Sequence, residues 1–159
     1  MDSELTLIEQ VRSGKLWSFP GGIHPPERKK LSNTGVIGHF PAKRIFLPVA
    51  QHIGQPGVLL VQPGERVLKG QPLSRTNAGL SLPVHAPTSG TVVDIRNHIS
   101  AHPSGVPTQT IVIEPDGNEL AIDPAPIENW QDIDRAEISQ HLQQMGIAGL
   151  GGAAFPTYI

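Results

Sequence analysis

Three glycines close to the C-terminal end of the chain, Gly149, Gly151 and Gly152 in MGIAGLGGAAFPTYI (Met145–Ile159), form a run of backbone N–H groups with little side-chain cover. Such a run suits an anion, because bare N–H groups converge on phosphate oxygens and glycine tolerates the positive φ values that aim them. The loop follows a helical pattern, and the sequence stops inside the motif. It is therefore expected to supply one part of a nucleotide site in a longer protein. Its spacing is neither the G-x-G-x-x-G that opens a helix after a strand nor a loop ending in Lys-Ser/Thr, and a plain helix-terminating turn would use the same residues.

Other chemistry-bearing residues are few. His98 and His102 stand four apart, the spacing of two metal ligands on one helical face, but Pro103 and the strand-like neighbours favour surface-loop histidines. His24, between Ile23 and Pro25, reads either as a local hydrogen-bonding residue or as a ligand contact. Arg28, Lys29 and Lys30 form a positive knot that reads as a solvated surface or as a contact for an anion. No Ser/His/Asp arrangement can be assigned, and the scattered acids show no pairing suited to acid–base work. With no cysteine in the chain, these residues can build no disulfide, thiol nucleophile or iron–sulfur site.

The elements that must position these groups are mostly short strands. Seventeen glycines and 16 prolines in 159 residues, with few aromatics, predict tight turns and β structure rather than a helical bundle. A net charge of −2 gives no sustained basic field, so nucleic acid is not an expected partner. The N-terminus reads as neither a signal peptide nor a membrane span. Leu5, Ile8 and Val11 predict a short helix or a frayed tail within Asp2–Gly14, followed by the Pro/Gly-rich strap FPGGIHPPERKKLSN. From Phe40 to Ile122 the segments RIFLPVA, GVLLVQ, RVLKGQPLSR, GTVVDIR and QTIVIEP predict successive strands of a small barrel or sandwich. Beyond Pro124 and Pro126, Asp134 and Glu137 form a capping box ahead of Ile138, Leu142 and Met145, with Gly146 placed to close that helix.

The stretch VQPGERVLKGQPLSRTNAGLSLPVHAPTSGTVVDI (Val61–Ile95) resembles the biotinyl/lipoyl-carrier fold, with a PGERVLKGQPL turn-strand unit and an APTSGTVVDI closing hairpin. In carriers the modified lysine sits at the tip between these units. Here the tip reads Thr76, Asn77, Ala78, Gly79, Leu80, so no swinging arm is expected.

Taken in order, FPGGIHPPERKK (Phe19–Lys30), PVHAPTSGTVVDI (Pro83–Ile95) and GIAGLGGAAFPT (Gly146–Thr157) resemble the N-terminal portion of the C subunit of Rnf-type electron transport complexes. The resemblance implies a mainly β fold, a lipoyl/biotinyl-carrier-like barrel-sandwich, followed by the truncated start of an α/β nucleotide-binding domain. The implied organisation is a helix and strap over 1–40, the β domain without carrier lysine over 41–125, and the incomplete start of an FMN/NADH-binding domain over 126–159. It further implies a peripheral subunit on the cytoplasmic side of the bacterial inner membrane, in an ion-translocating ferredoxin:NAD oxidoreductase. Its partners would be the other subunits, ferredoxin and NADH. FMN and NADH would bind the full-length protein and 4Fe-4S clusters its C-terminal part, with none expected on this stretch alone, which would be inactive by itself. The family's cofactor loop maps onto Gly149, Gly151, Gly152, Ala153, Phe155, Pro156 and Thr157. Ala154 and Tyr158 stand where that pattern usually has glycine, and a methyl at Ala154 would obstruct a positive-φ turn or a close phosphate approach. Cobalamin-reducing flavoproteins of bacterial microcompartments share the strap and the loop, and a non-enzymatic module of lipoyl-like fold is the alternative from another class.

Overall fold

The computed structural model describes residues 9, 12–14, 23, 26–38, 40–101 and 104–159. The chain forms two compact units, Met1–His39 and Phe40–Ile159. In the first, Glu9 and Arg12 are helical and the Ser13 N–H bonds the Glu9 carbonyl at 2.9 Å. Leu5, Ile8 and Val11 of the expected amphipathic helix lie outside the described residues, as do His24 and most of the strap before Pro26. A single helical turn, α1 (Lys30–Asn33), follows.

The second unit is built on six strands: β1 (Ile45–Pro48), β2 (Val58–Leu59), β3 (Arg66–Val67), β4 (Ser74–Arg75), β5 (Gly90–Ile99) and β6 (Pro107–Pro115). Four pair antiparallel in the order β1-β6-β5-β3, and β2 pairs with β4 in a second, two-stranded sheet. The expected strand RVLKGQPLSR is two strands, not one. Gly70 turns the chain at φ +82° between them, and the Lys69 and Gly70 N–H groups bond to Leu120 and Ala86 instead of to a continuous ladder. GVLLVQ shrinks likewise to Val58–Leu59.

Both sheets close on one core of Val49, Val61, Val67, Leu73, Val84, Ala86, Val92, Ile111 and Ile113. Each valine, leucine or isoleucine among them contributes roughly 1.5–3 kcal/mol on full burial. The long β5–β6 hairpin supplies three of them, and its register carries a bulge. Val92 pairs with Ile113 and Ile95 with Ile111, but Asp94 pairs with Val112, leaving Val93 as the extra residue. In the motif VVDI strict alternation would set Asp94 opposite Ile111 in the core; the extra residue gives that place to Ile95. Gly90 opens β5 where a Cβ would collide with the Glu114 carbonyl, so only glycine lets the two strands approach there.

The closing hairpin is tied at its base by a polar network. The Ser89 hydroxyl donates to Asp116 at 2.7 Å and accepts the Leu120 N–H, while the Thr88 hydroxyl donates to Glu119 at 2.8 Å. Asp116 also accepts the Asn118 N–H and pairs with Arg66 at 3.0 Å. These three donors hold its carboxyl well below the usual range, at about 2, with the Ser89 hydroxyl the largest cause.

Helix α2 (Arg135–Gln144) begins at Asp134, whose side chain accepts the Ala136 and Glu137 N–H groups at 2.7 and 3.0 Å. It ends at Gly146, φ +68°, whose N–H bonds the Gln143 carbonyl. A Cβ there would lie 2.6 Å from the Pro83 carbonyl and 3.3 Å from the His85 ring, so the glycine also seats the helix end on the β domain. Residues 126–159, expected as the start of a second domain, lie in the same compact unit as the barrel. Among the described residues no helix is long and apolar enough to cross a membrane.

Candidate functional site

The helix is stopped by Gly146, so Gly149, Gly151 and Gly152 are free of that task and form the hairpin that follows. Ala148 and Pro156 make an antiparallel bridge, the Gly149 N–H bonds the Phe155 carbonyl at 2.8 Å, and the Thr157 N–H bonds the Ile147 carbonyl at 3.0 Å. The turn closes with the Ala154 N–H on the Gly151 carbonyl at 3.0 Å. Pro156 is buried and anchors the returning arm. Tyr158 fastens the end of the loop through its carbonyl, which accepts the Ser139 hydroxyl of α2 at 2.6 Å.

The residue in the left-handed conformation is Ala154, at φ +43°, and none of the three glycines of the loop takes a positive φ. The methyl group therefore does not prevent the turn, and the glycines serve by their bareness. A Cβ at Gly151 or Gly152 would meet nothing within 4 Å. Among the described residues, no protein acceptor meets the N–H groups of Leu150, Gly151, Gly152 and Ala153. Consecutive unpaired N–H groups at a turn are donors for an anionic oxygen.

The hairpin lies between two cavities. The first, about 420 Å³, is bounded by Leu47, His52, Leu82, Val84 and His85 on the barrel side and by Gly149–Gly151 on the loop side. The second, about 720 Å³, is bounded by Gln51, His52, Ile53 and Ser100, with Gly152–Ala154 as the facing wall. Of the residues expected at the site, Gly149, Gly151, Gly152 and Ala153 line these cavities. Phe155, half exposed, Pro156 and Thr157 brace the hairpin instead.

His52 is the residue that linear order did not reveal. Its Nε2 accepts the Leu82 N–H at 3.0 Å and its Nδ1 faces the Ile53 carbonyl at 2.9 Å, an arrangement that the tautomer with its hydrogen on Nδ1 satisfies at both ends. It clamps the β1–β2 loop to the irregular segment after the barrel tip, and the neighbouring Ile53 N–H reaches the Ala154 carbonyl at 3.4 Å. With both nitrogens engaged it positions the loop and is not a free base. His85, by contrast, stands in the motif PVHAP. Its ring is half-buried under the helix end, and burial pushes its pKa below 6.5, partly opposed by a hydrogen bond to the Gln144 backbone. His98 lies on β5, stacked on Phe46 at 4.5 Å with Nδ1 against the Ile99 carbonyl; His102 is outside the described residues. Among the described residues no cluster of three or more His, Asp or Glu is placed to hold a metal.

Residues 17–118, covering both sheets and the closing hairpin, match the family described as the RnfC barrel sandwich hybrid domain. The chain belongs to this family. It is 46% identical over 154 residues to the C subunit of the ion-translocating oxidoreductase complex of Erwinia tasmaniensis, covering 96% of this chain and 19% of that relative. The protein of the same name from Vibrio cholerae is 47% identical over 154 residues, covering 96% and 20%, and that from Haemophilus influenzae 43% over 152 residues, covering 95% and 23%. The chain thus spans about a fifth of the length of these relatives. The stretches of 152–154 residues shared with these relatives are longer than the family's barrel domain, which ends at residue 118.

Proposed function

We propose that this chain is the front portion of the C subunit of an ion-translocating oxidoreductase complex, and that its glycine hairpin is one wall of a flavin and NADH site. The observation that carries the reading is the row of N–H groups from Leu150 to Ala153, unpaired among the described residues and set between two cavities, with no Cβ at Gly151 and Gly152 to fill the approach. The names of the relatives support the complex as the setting.

In this reading the N–H groups of Gly151, Gly152 and Ala153 donate to phosphate oxygens of the cofactor or nucleotide. Leu47, Leu82 and Val84 exclude water from the first cavity, and His52 holds the hairpin against the barrel through the β1–β2 loop. FMN, when bound, supplies the step from two-electron hydride chemistry with NADH to single-electron transfer. The residues present fit a phosphate-contacting wall. They do not fit 4Fe-4S clusters, for which the chain has no cysteine. The proposal therefore assigns clusters and ferredoxin contact to the remainder of the longer protein, on the cytoplasmic face of the inner membrane beside its partner subunits.

Flavin fluorescence and NADH titration, run on this chain and on one extended to the length of its relatives, test the reading. Binding by the longer chain, weakened about tenfold or more by Gly152→Val, is the expected result. No binding by either chain would leave a structural docking module.

A further inference from the structure

The positive knot Arg28-Lys29-Lys30 plays no part in the function proposed above, yet the structure gives it a shape. Three consecutive residues of an extended strand would alternate sides, but here all three line one cleft of about 580 Å³ with Pro26, Glu27 and Asn33. The backbone arranges this at Arg28, which takes φ +46°, and Lys29 then turns the chain into α1. A left-handed conformation costs a non-glycine residue roughly 1–2 kcal/mol, so the clustering of charge is achieved against the local preference of the chain.

The cleft is short of counter-charge. Among the described residues none of the three cations pairs with a carboxylate, Glu27 is the one acid lining the cleft, and no acid stands in the first turn of α1. The whole chain carries net charge −2, so this excess of positive charge is local and is not a property of the surface at large. All the charged lining residues are exposed, which leaves guanidinium and ammonium donors free to meet an incoming group. Asn33 adds an amide donor at the same wall. A planar fork, two point cations and an amide around a concave space match the oxygens of a phosphoryl group better than a single carboxylate.

We propose that the Arg28–Asn33 cleft is a second anion site, one that takes phosphate-bearing ligands, either a soluble di- or polyphosphate or an anionic lipid headgroup. The site lies wholly within the N-terminal unit and does not depend on the glycine hairpin.

The test uses the whole 159-residue chain and two probes. Inorganic pyrophosphate is titrated calorimetrically at low and high salt, and vesicles of phosphatidylglycerol are compared with vesicles of phosphatidylcholine by co-sedimentation. The expected result is salt-sensitive binding of pyrophosphate, of the anionic vesicles, or of both. The triple substitution Arg28→Gln, Lys29→Gln, Lys30→Gln should weaken it roughly tenfold or more, and Glu27→Gln should tighten it. These side chains are exposed, and circular dichroism verifies that the variants stay folded. Binding of pyrophosphate alone assigns the site to soluble phosphates, and of anionic vesicles alone to headgroups. The proposal is overturned if neither probe binds, or if the triple variant binds as tightly as the original chain.

Discussion

Two side chains set how this molecule should respond to acid. Asp116, with its carboxyl held at about 2 by Ser89, Asn118 and Arg66, releases its proton more readily folded than unfolded, where its ordinary value is 3.8. Its stabilisation is complete above the unfolded value and is lost as pH falls from 3.8 towards about 2. Asp116→Asn should therefore flatten the acid limb of a urea-midpoint profile over that window. His85 works at higher pH. Its folded-state value lies below 6.5 because burial disfavours the cation, so the unfolded chain binds more protons in the interval beneath 6.5. Stability is complete above 6.5 and falls with acidification until the folded-state value is passed. Midpoints measured between about pH 5 and about pH 8 should rise with pH in the original chain and less so in His85→Gln.

The elements rest on single backbone positions, and those differ in how plainly the sequence announces them. Gly146→Ala places a methyl 2.6 Å from the Pro83 carbonyl at φ +68°, which should cost on the order of 1–3 kcal/mol in urea denaturation. Asp134→Ala, which frees the Ala136 and Glu137 N–H groups at the other end of α2, should cost about 1 kcal/mol. Both positions were legible, because caps are written in adjacent residues: Asp134 three before Glu137, and a glycine after the last apolar position. The β5–β6 hairpin was legible too, since GTVVDIR and QTIVIEP are apolar runs bounded by turn residues. RVLKGQPLSR was misleading for a physical reason. Its β-prone ends suit strands, but the Gly70 turn and the bonds to Leu120 and Ala86 come from segments far along the chain. His52 was illegible on similar grounds, since its bond to Leu82 joins residues that become neighbours only once the barrel has closed.

For the molecule as a whole, the buried cluster found among the described residues runs from Val49 to Ile113, within the Phe40–Ile159 unit. A chain beginning at Phe40 keeps every member of that cluster and should unfold in urea as one cooperative transition. Ile111→Ala, by contrast, empties a fully buried position shared by β6 and its neighbours and should cost about 2–5 kcal/mol. The extra residue at Val93 carries a consequence for how such a hairpin can change its length. Deleting that residue alone would leave Val92, Asp94 and Ile95 in the regular alternation that already pairs them with Ile113, Val112 and Ile111, whereas deleting Val112 along with it would set Asp94 against Ile111 in the core. Among related chains, a solitary deletion in this hairpin should therefore fall at the extra residue, while changes of length elsewhere in β5 and β6 should be found as matched pairs.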